Sequence, residues 1–444
     1  MFQIADFMPV NGTNFVWKKI SESSHGVDTS VFPDLINPHE NRRFYIFGSH
    51  EDNMVNCYFD VEYQIMDSEN SRFKILGRYQ LGPGRLGLEL DLVNIDTLNH
   101  RKGNIISLGS KPKELTCLFL IGDADYYIGP DINAGSWIRD HLPLLGDHSL
   151  KEICIPGSHD AGMSVVTWKT LLAAECNTLT QTNNILGQLN LGIRYFDIRP
   201  ALSDGKFFTE HFSKVIIWEG ALGESMESII NGINKFTEYN NELIMIKLSH
   251  SLNLDVGFFE TYRPFNKDQW FDLFDQLSTI NYLYYHNGVG NVSDSTINTL
   301  TANGTRPAVL FFVDKEKEPD VDLGEYEDAG FFYLSELNMY SQFSNSDDYI
   351  YMIHDQIQKM RDHAPKQYFE IEWTLTQQFT EVSSCSTGIG FSIRELADMA
   401  NNILVEVLHP AITKTEYPNI ILIDNVKDTT AALLALAINW KVFE

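Results

Sequence analysis

The sequence is poor in cysteine and in basic residues, and it lacks any long apolar run. Five cysteines, Cys57, Cys117, Cys154, Cys176 and Cys385, are spread over 444 residues with no CxxC pair. An odd count without paired spacing excludes a disulfide framework and a zinc ribbon. Free buried thiols are the expectation, with room for one bridge. No stretch of about 18 apolar residues occurs, so no transmembrane segment is expected. The segment Met1 to Asp6 shows no basic stretch leading into an apolar run. No secretory signal is therefore expected. The expected location is the cytoplasm, with peripheral contact at a membrane. Glycosylation triplets at Asn11, Asn291 and Asn303 matter only on a secretory route.

Lysine and arginine total 33 against 60 aspartates and glutamates, a formal net charge of −27. Nucleic acid is disfavoured as a partner, because phosphate backbones are held by Lys and Arg. Docking on an anionic membrane by charge alone is disfavoured for the same reason. Hydrophobic residues make up 43% of the chain, which fits a folded protein rather than a disordered one. The length predicts more than one domain, although a barrel can absorb much of it.

Residues 1–133 read as strands and turns. Arg43 to Phe47, Cys57 to Tyr63, Leu86 to Leu92 and Leu118 to Ile121 are short aromatic or alternating runs, punctuated by turns such as Gly82-Pro83-Gly84. This spacing predicts an all-β, sandwich-like domain with a binding or accessory role. From Ala134 to the end, at 444, strand-length apolar runs alternate with helical segments. The runs are Ile153 to Pro156, Ile193 to Ile198, Leu243 to Leu248, Ala308 to Val313, Tyr368 to Trp373 and Ile420 to Ile423. Helical patterns lie between them, as at 224–239 and 393–408. Such alternation implies an α/β fold with a parallel sheet, either doubly wound or closed into a barrel.

In a parallel α/β fold, polar residues just after a strand stand on the catalytic face. His159-Asp160 follows Ile155-Pro156-Gly157-Ser158, a strand end and a sharp turn. Asp197 and Arg199 alternate along one strand and share a face. Such a pair suits either a buried structural ion pair or an arginine aimed at a phosphate. His211 follows Lys206 to Glu210, and Asp424 closes the run Ile420 to Ile423. Two histidines with carboxylates at strand ends fit general acid/base chemistry, one ring taking a proton and the other giving one.

Ile155 to Asp160, followed by Phe196-Asp197-Ile198-Arg199 and His211, resembles the X domain of the phosphatidylinositol-specific phospholipases C. Trp137 to Pro143 resembles that family's lead-in segment. The resemblance covers about residues 134–444, and the two-domain arrangement is similar to larger microbial and fungal PLC-like phosphodiesterases. It implies a distorted TIM (β/α) barrel and a phosphoric diester hydrolase or lyase acting on phospholipid at a membrane surface. By the resemblance, His159 is the general base, oriented by Asp424, and His211 the general acid, partnered by Asp160. Arg199 binds a non-bridging phosphate oxygen, with Asp197 beside it. The product is a cyclic inositol phosphate.

Metal-dependent relatives carry a carboxylate where Arg199 stands, so no metal cofactor is expected. Ca²⁺ or Mg²⁺ is the alternative. Two positions depart from the family pattern: Ala161 replaces a small polar residue, and Phe212 replaces the glycine that follows the second histidine. His250 is the rival for His211. Lys247, His250, Asp314 and Tyr340 are substrate-binding candidates by position. The competing readings are a metal-dependent glycerophosphodiesterase or sphingomyelinase D-like enzyme, and an inactive barrel that binds lipid or glycan.

Overall fold

Residues 58–65 alternate buried and partly exposed side chains, the period-2 mark of a strand with one face in a core. In the computed structural model this alternation builds two sheets. One runs Tyr126–Ile128, Leu115–Asp123, Phe2–Thr13, Phe44–Gly48; the other runs Leu35–Ile36, Trp17–His25, Tyr58–Ile65, Arg72–Gln80, Arg85–Asp91, Ile105–Ser107. They share one core in which Phe7, Leu118, Trp17, Phe59 and Phe73 are buried. The all-β part of the expectation is thus met by two sheets. The structure describes residues 2–49, 54–67, 69–80, 85–109, 114–124, 126–214, 218–256 and 262–444. The turn expected at Gly82-Pro83-Gly84 lies outside the described residues. Asn11 is fully buried, and its amide donates to the carbonyls of Phe15, Ile36 and Asn37. That triplet is therefore closed to glycosylation.

The chain packs as two compact units. The first comprises residues up to 132 together with 402–414 and 436–444; the second comprises 133–401 and 415–435. Two C-terminal segments thus pack with the N-terminal sheets.

Eight parallel strands form the second unit's main sheet. In chain order they are β1 (Ile155–Ser158), β2 (Tyr195–Ile198), β3 (Leu243–Leu248), β4 (Ala308–Val313), β5 (Phe331–Tyr333), β6 (Met339–Ser341), β7 (Tyr368–Trp373) and β8 (Ile420–Ile423). The spatial order is β5-β4-β3-β2-β1-β8-β7-β6, with every neighbouring pair parallel. The result is a mixed α/β unit with a curled, barrel-like sheet, left open between β5 and β6 among the described residues. Six of the eight strands coincide with expected apolar runs. The other two, β5 and β6, are three residues each, too short to show a period. Helices at Met226–Thr237 and Ile393–Ala411 occupy the expected segments.

Parallel pairing puts every strand's C-terminal end on one side. A smaller sheet lies beyond β2, in the order Trp168–Lys169, Trp218–Ser225, Lys206–Lys214, Pro200–Ser203, Leu252–Asn253. His211 sits within the strand Lys206–Lys214 rather than at the end of a barrel strand. Cys176 and Cys385 form a disulfide, while Cys57, Cys117 and Cys154 stand outside any disulfide. Three cysteines thus keep their thiols, and the room left for one bridge is taken.

The lead-in segment is fixed by one buried ion pair. Arg194 Nε donates to Glu242 Oε2 at 2.9 Å, with both side chains fully buried. The other guanidinium nitrogens donate to the carbonyls of Leu189, Ile193 and Ala134. Glu242 also accepts from the backbone amides of Ile138 and Arg139. Burial drives the Glu242 carboxyl up and the Arg194 guanidinium down, which the pairing opposes. A pair of this kind contributes little net stability but is costly to break from one side. Glu242→Ala is therefore expected to destabilise this unit by about 3–5 kcal/mol. An apolar double replacement, Arg194→Met with Glu242→Leu, is expected to recover most of that loss. Urea unfolding of the two variants measures both effects.

Candidate active site

The turn after β1 begins the site. Ile155 to Ser158 is entirely buried, and the chain then turns through Asp160 with φ +44°. A non-glycine residue in the left-handed region costs energy, and such residues cluster at functional sites. His250 after β3 and Asn425 after β8 share this conformation, at φ +57° and +54°. Polar neighbours secure the turn: Thr180 Oγ1 donates to the Asp160 carbonyl and Gln181 Nε2 to the His159 carbonyl. No sequence pattern marks these two supports.

Two His–carboxylate pairs result. His159 Nδ1 lies 2.9 Å from Asp424 Oδ1, joining the ends of β1 and β8. His211 Nδ1 lies 2.5 Å from Asp160 Oδ2, joining the small sheet to the β1 turn. The approach of the two segments depends on Gly162, whose added Cβ would stand 2.2 Å from Thr209 Cγ2. Phe212 is accommodated because its ring lies over Gly220 and stacks on Trp168. The departure at this position is absorbed by local packing.

Arg199 stands between the two pairs. Its Nη2 lies 2.8 Å from His159 Nε2, its Nη1 3.6 Å from Asp160 Oδ2, and its Nε 3.8 Å from Asp197 Oδ2. Lys247, paired in register with Asp197 across β2 and β3, reaches Asp197 Oδ1 at 3.5 Å. Burial raises the Asp160 and Asp197 carboxyls, but the cations outweigh it and hold both below the ordinary range. Against burial, Asp160 and Asp197 hold Arg199 above its ordinary range, and Asp197, Glu370 and Glu372 do the same for Lys247.

Burial lowers the basicity of His159, yet Asp424 more than compensates and pushes its pKa up to about 9, with Arg199 opposing. A guanidinium only donates. The Arg199–Nε2 contact therefore belongs to the neutral ring with its proton on Nδ1, facing Asp424. Protonation of Nε2 requires Arg199 to move off. His250 differs. Burial and Arg199 push it down to about 4, and its Nδ1 pairs with the Ser249 hydroxyl. A ring of such low basicity makes a poor proton donor near neutral pH.

His159, Asp197, Arg199, His211, Lys247 and Asp424 line one cavity of about 1820 Å³. His250 and Asp314 line it too. Asp314 Oδ1 accepts from the amides of Glu316 and Lys317 and so braces its own turn. The expectation for Tyr340 is corrected. Its ring stacks on His363 at 3.6 Å between centroids, its hydroxyl donates to Gln342, and it is absent from the cavity wall. Side chains alternate along β6, so its neighbours Met339 and Ser341 face the cavity instead.

Sequence reasoning missed a further pair of carboxylates on β7. Ser341 Oγ lies 2.6 Å from both Glu370 and Glu372, and Glu372 lines the cavity. One hydroxyl proton serves only one of two carboxylates. Burial pushes the Glu370 carboxyl up, so a proton there lets both contacts be hydrogen bonds. The alternating run Glu370-Ile371-Glu372 carried this signal, because both acids share one face of the strand. Among the described residues, no group of three or more His, Cys, Asp or Glu is arranged to hold a metal ion. Nor is any helix long and apolar enough to cross a membrane.

No family model matches the chain. A PI-PLC X-box domain-containing protein of Dictyostelium discoideum is 25% identical over 132 residues, which is 27% of this chain and 17% of that relative. The match thus spans a small part of the relative's length. Among solved structures, a variant of the phosphatidylinositol-specific phospholipase C of Staphylococcus aureus is similar at 15% identity, TM-score 0.47, covering 68% of this chain and 97% of that one. The phosphatidylinositol-specific phospholipase C of Listeria monocytogenes is similar at 15% identity, TM-score 0.44, covering 69% and 99%.

Asp424 is the group that raises His159. Titration of the His159 imidazole by NMR is expected to show a midpoint near 9. In Asp424→Asn the anion is gone while burial and Arg199 remain. The midpoint should then fall to or below the free-imidazole value of about 6.5. An unchanged midpoint would remove Asp424 as the cause.

Proposed function

Taking the second unit as PI-PLC X-domain-like, we propose that this protein cleaves phosphatidylinositol-type lipids by general acid/base catalysis without a metal. The observation that carries the reading is the placement of Arg199 between two histidines that each hold a carboxylate. His159 Nε2 takes the proton of the inositol 2-hydroxyl as that oxygen attacks phosphorus. His211 gives a proton to the diacylglycerol oxygen as the P–O bond breaks, and the product is a cyclic inositol phosphate. Arg199 donates to a non-bridging phosphate oxygen. Its turn toward the phosphate takes it off Nε2 and frees that nitrogen to act as base. Asp424 holds the proton on Nδ1 and stabilises the imidazolium as it forms.

Positive charge at the phosphate is supplied by Arg199, with Lys247 behind it, the role a bound cation has in metal-dependent diesterases. Lys247, Asp197 and Glu372 line the cavity where a polyol headgroup needs donors and acceptors. His211 is the acid in this reading. His250, held near 4, is a wall of the headgroup pocket. Location follows from the cysteines as well: the Cys176–Cys385 bridge favours an oxidising compartment over the cytoplasm.

The test is ³¹P NMR of phosphatidylinositol vesicles incubated with the protein in excess EDTA. A cyclic phosphodiester signal is expected, with the ascending limb of the pH profile, set by loss of the His159 proton, lying toward 9. His159→Ala and His211→Ala should each lower the rate about 10²–10⁴-fold. Turnover that appears only after Mg²⁺ or Ca²⁺ is restored would replace this mechanism with the metal-dependent one. No product under either condition would favour an inactive, lipid- or glycan-binding barrel.

A further inference from the structure

Two chain segments form apolar lips beside the cavity that holds the histidines. The first carries Leu171 and Leu172, adjacent in sequence and 93% and 69% exposed. The second carries Phe379, 77% exposed, and Val382, both on the helix Phe379–Ser384. All four side chains line the cavity. Neighbouring leucines left almost wholly in water are unfavourable unless something covers them.

The lips are far apart in sequence and are tied by three links. Cys176 and Cys385 are joined by the disulfide, across a separation of 209 residues. Asn177 Nδ2 reaches the carbonyls of Leu172 at 3.5 Å and Val382 at 3.4 Å, one on each lip. Gln377 Nε2 donates to the carbonyls of Cys176 at 3.2 Å and Phe391 at 2.6 Å. The two hydrogen-bonding side chains sit next to the bridge, so the covalent link fixes the distance over which they act.

We infer that the Cys176–Cys385 bridge clamps the two lips into one rim that docks on a phospholipid bilayer, and that docking requires the bridge to be oxidised. The occupant is a neutral or zwitterionic bilayer. A net charge of −27 opposes attraction to an anionic surface, which leaves burial of the lip side chains as the driving force. The reading rests on the lipid activity proposed above, since a substrate whose acyl chains stay in the bilayer must be met at the cavity mouth. Reduction by a dithiol delivers two electrons and two protons to the S–S bond. Two thiols form, and the reductant closes to its own disulfide.

The experiment is cosedimentation with pure phosphatidylcholine vesicles, which need no turnover, beside hydrolysis of soluble inositol 1,2-cyclic phosphate. Dithiothreitol-reduced protein and the Cys176→Ser/Cys385→Ser variant should partition about tenfold more weakly onto vesicles, with soluble turnover unchanged. Leu171→Asp/Leu172→Asp, on exposed positions that leave the core alone, should lose vesicle binding with the bridge intact. Binding by reduced protein equal to that of the oxidised protein overturns the clamp. So does unchanged binding by the leucine variant, absent binding by the native protein, or loss of soluble turnover along with binding in the cysteine variant. Bridge-dependent vesicle binding with no cleavage of phosphatidylinositol by the native protein keeps the clamp and sinks the lipid cleavage reading instead.

Discussion

Everything at the cavity floor depends on the carboxylate of Asp160. It is fully buried, yet it stays ionised because Arg199 and His211 both face it. A lone buried carboxylate would take up a proton and lose its hold on either neighbour. With both neighbours in place, one anion fixes the position of a guanidinium and the ring of a histidine that comes from a different sheet. The left-handed backbone at Asp160 is tolerated because Thr180 and Gln181 bond the carbonyls on either side of the turn's apex.

The chemistry is divided by how each histidine is partnered. His159 answers to Asp424, which follows β8, 265 residues along the chain. His211 answers to Asp160, which belongs to the turn that also carries His159. The two rings are thus coupled through adjacent backbone on one side and held apart by Arg199 on the other. An arginine that contacts one ring nitrogen and two carboxylates is poised to exchange the ring contact for a phosphate oxygen. Its planar fork suits that exchange better than a lysine would.

Much of this was legible in the sequence because parallel strands have a simple grammar. A long buried strand such as β4 is a continuous apolar run, and the polar residue that ends such a run falls on the same rim. His159, Asp197, Arg199 and Asp424 were found that way. His211 was found as a residue but not as a position, because it lies inside an antiparallel strand where Phe207 to Phe212 has no clear period. Tyr340 was misjudged because β6 is only three residues long, and nothing in the sequence says which face of so short a strand turns inward. The acids of β7 were missed because Glu370 and Glu372 interrupt an apolar run, where acidic residues are read as a solvated face rather than a buried one. The Cys176–Cys385 pairing was invisible for another reason: a separation of 209 residues gives no local signal.

The aromatic residues of the first unit show how composition and placement part ways. Aromatic runs in short strands are compatible with either a core or a membrane-facing surface. Phe7, Phe32 and Phe59 are buried there, and Phe32 packs edge-on against Phe44 with centroids 4.9 Å apart. Those rings are committed to holding two sheets together and are not available to a lipid. Among the most exposed large apolar side chains are Leu171, Leu172 and Phe379, on loops and a short helix of the other unit. Core strands alternate and so can hide one face, whereas adjacent leucines on a loop cannot both be hidden by alternation. A surface that burial on folding leaves uncovered, and that lies at the mouth of a reactive cavity, is where function rather than stability has set the residues.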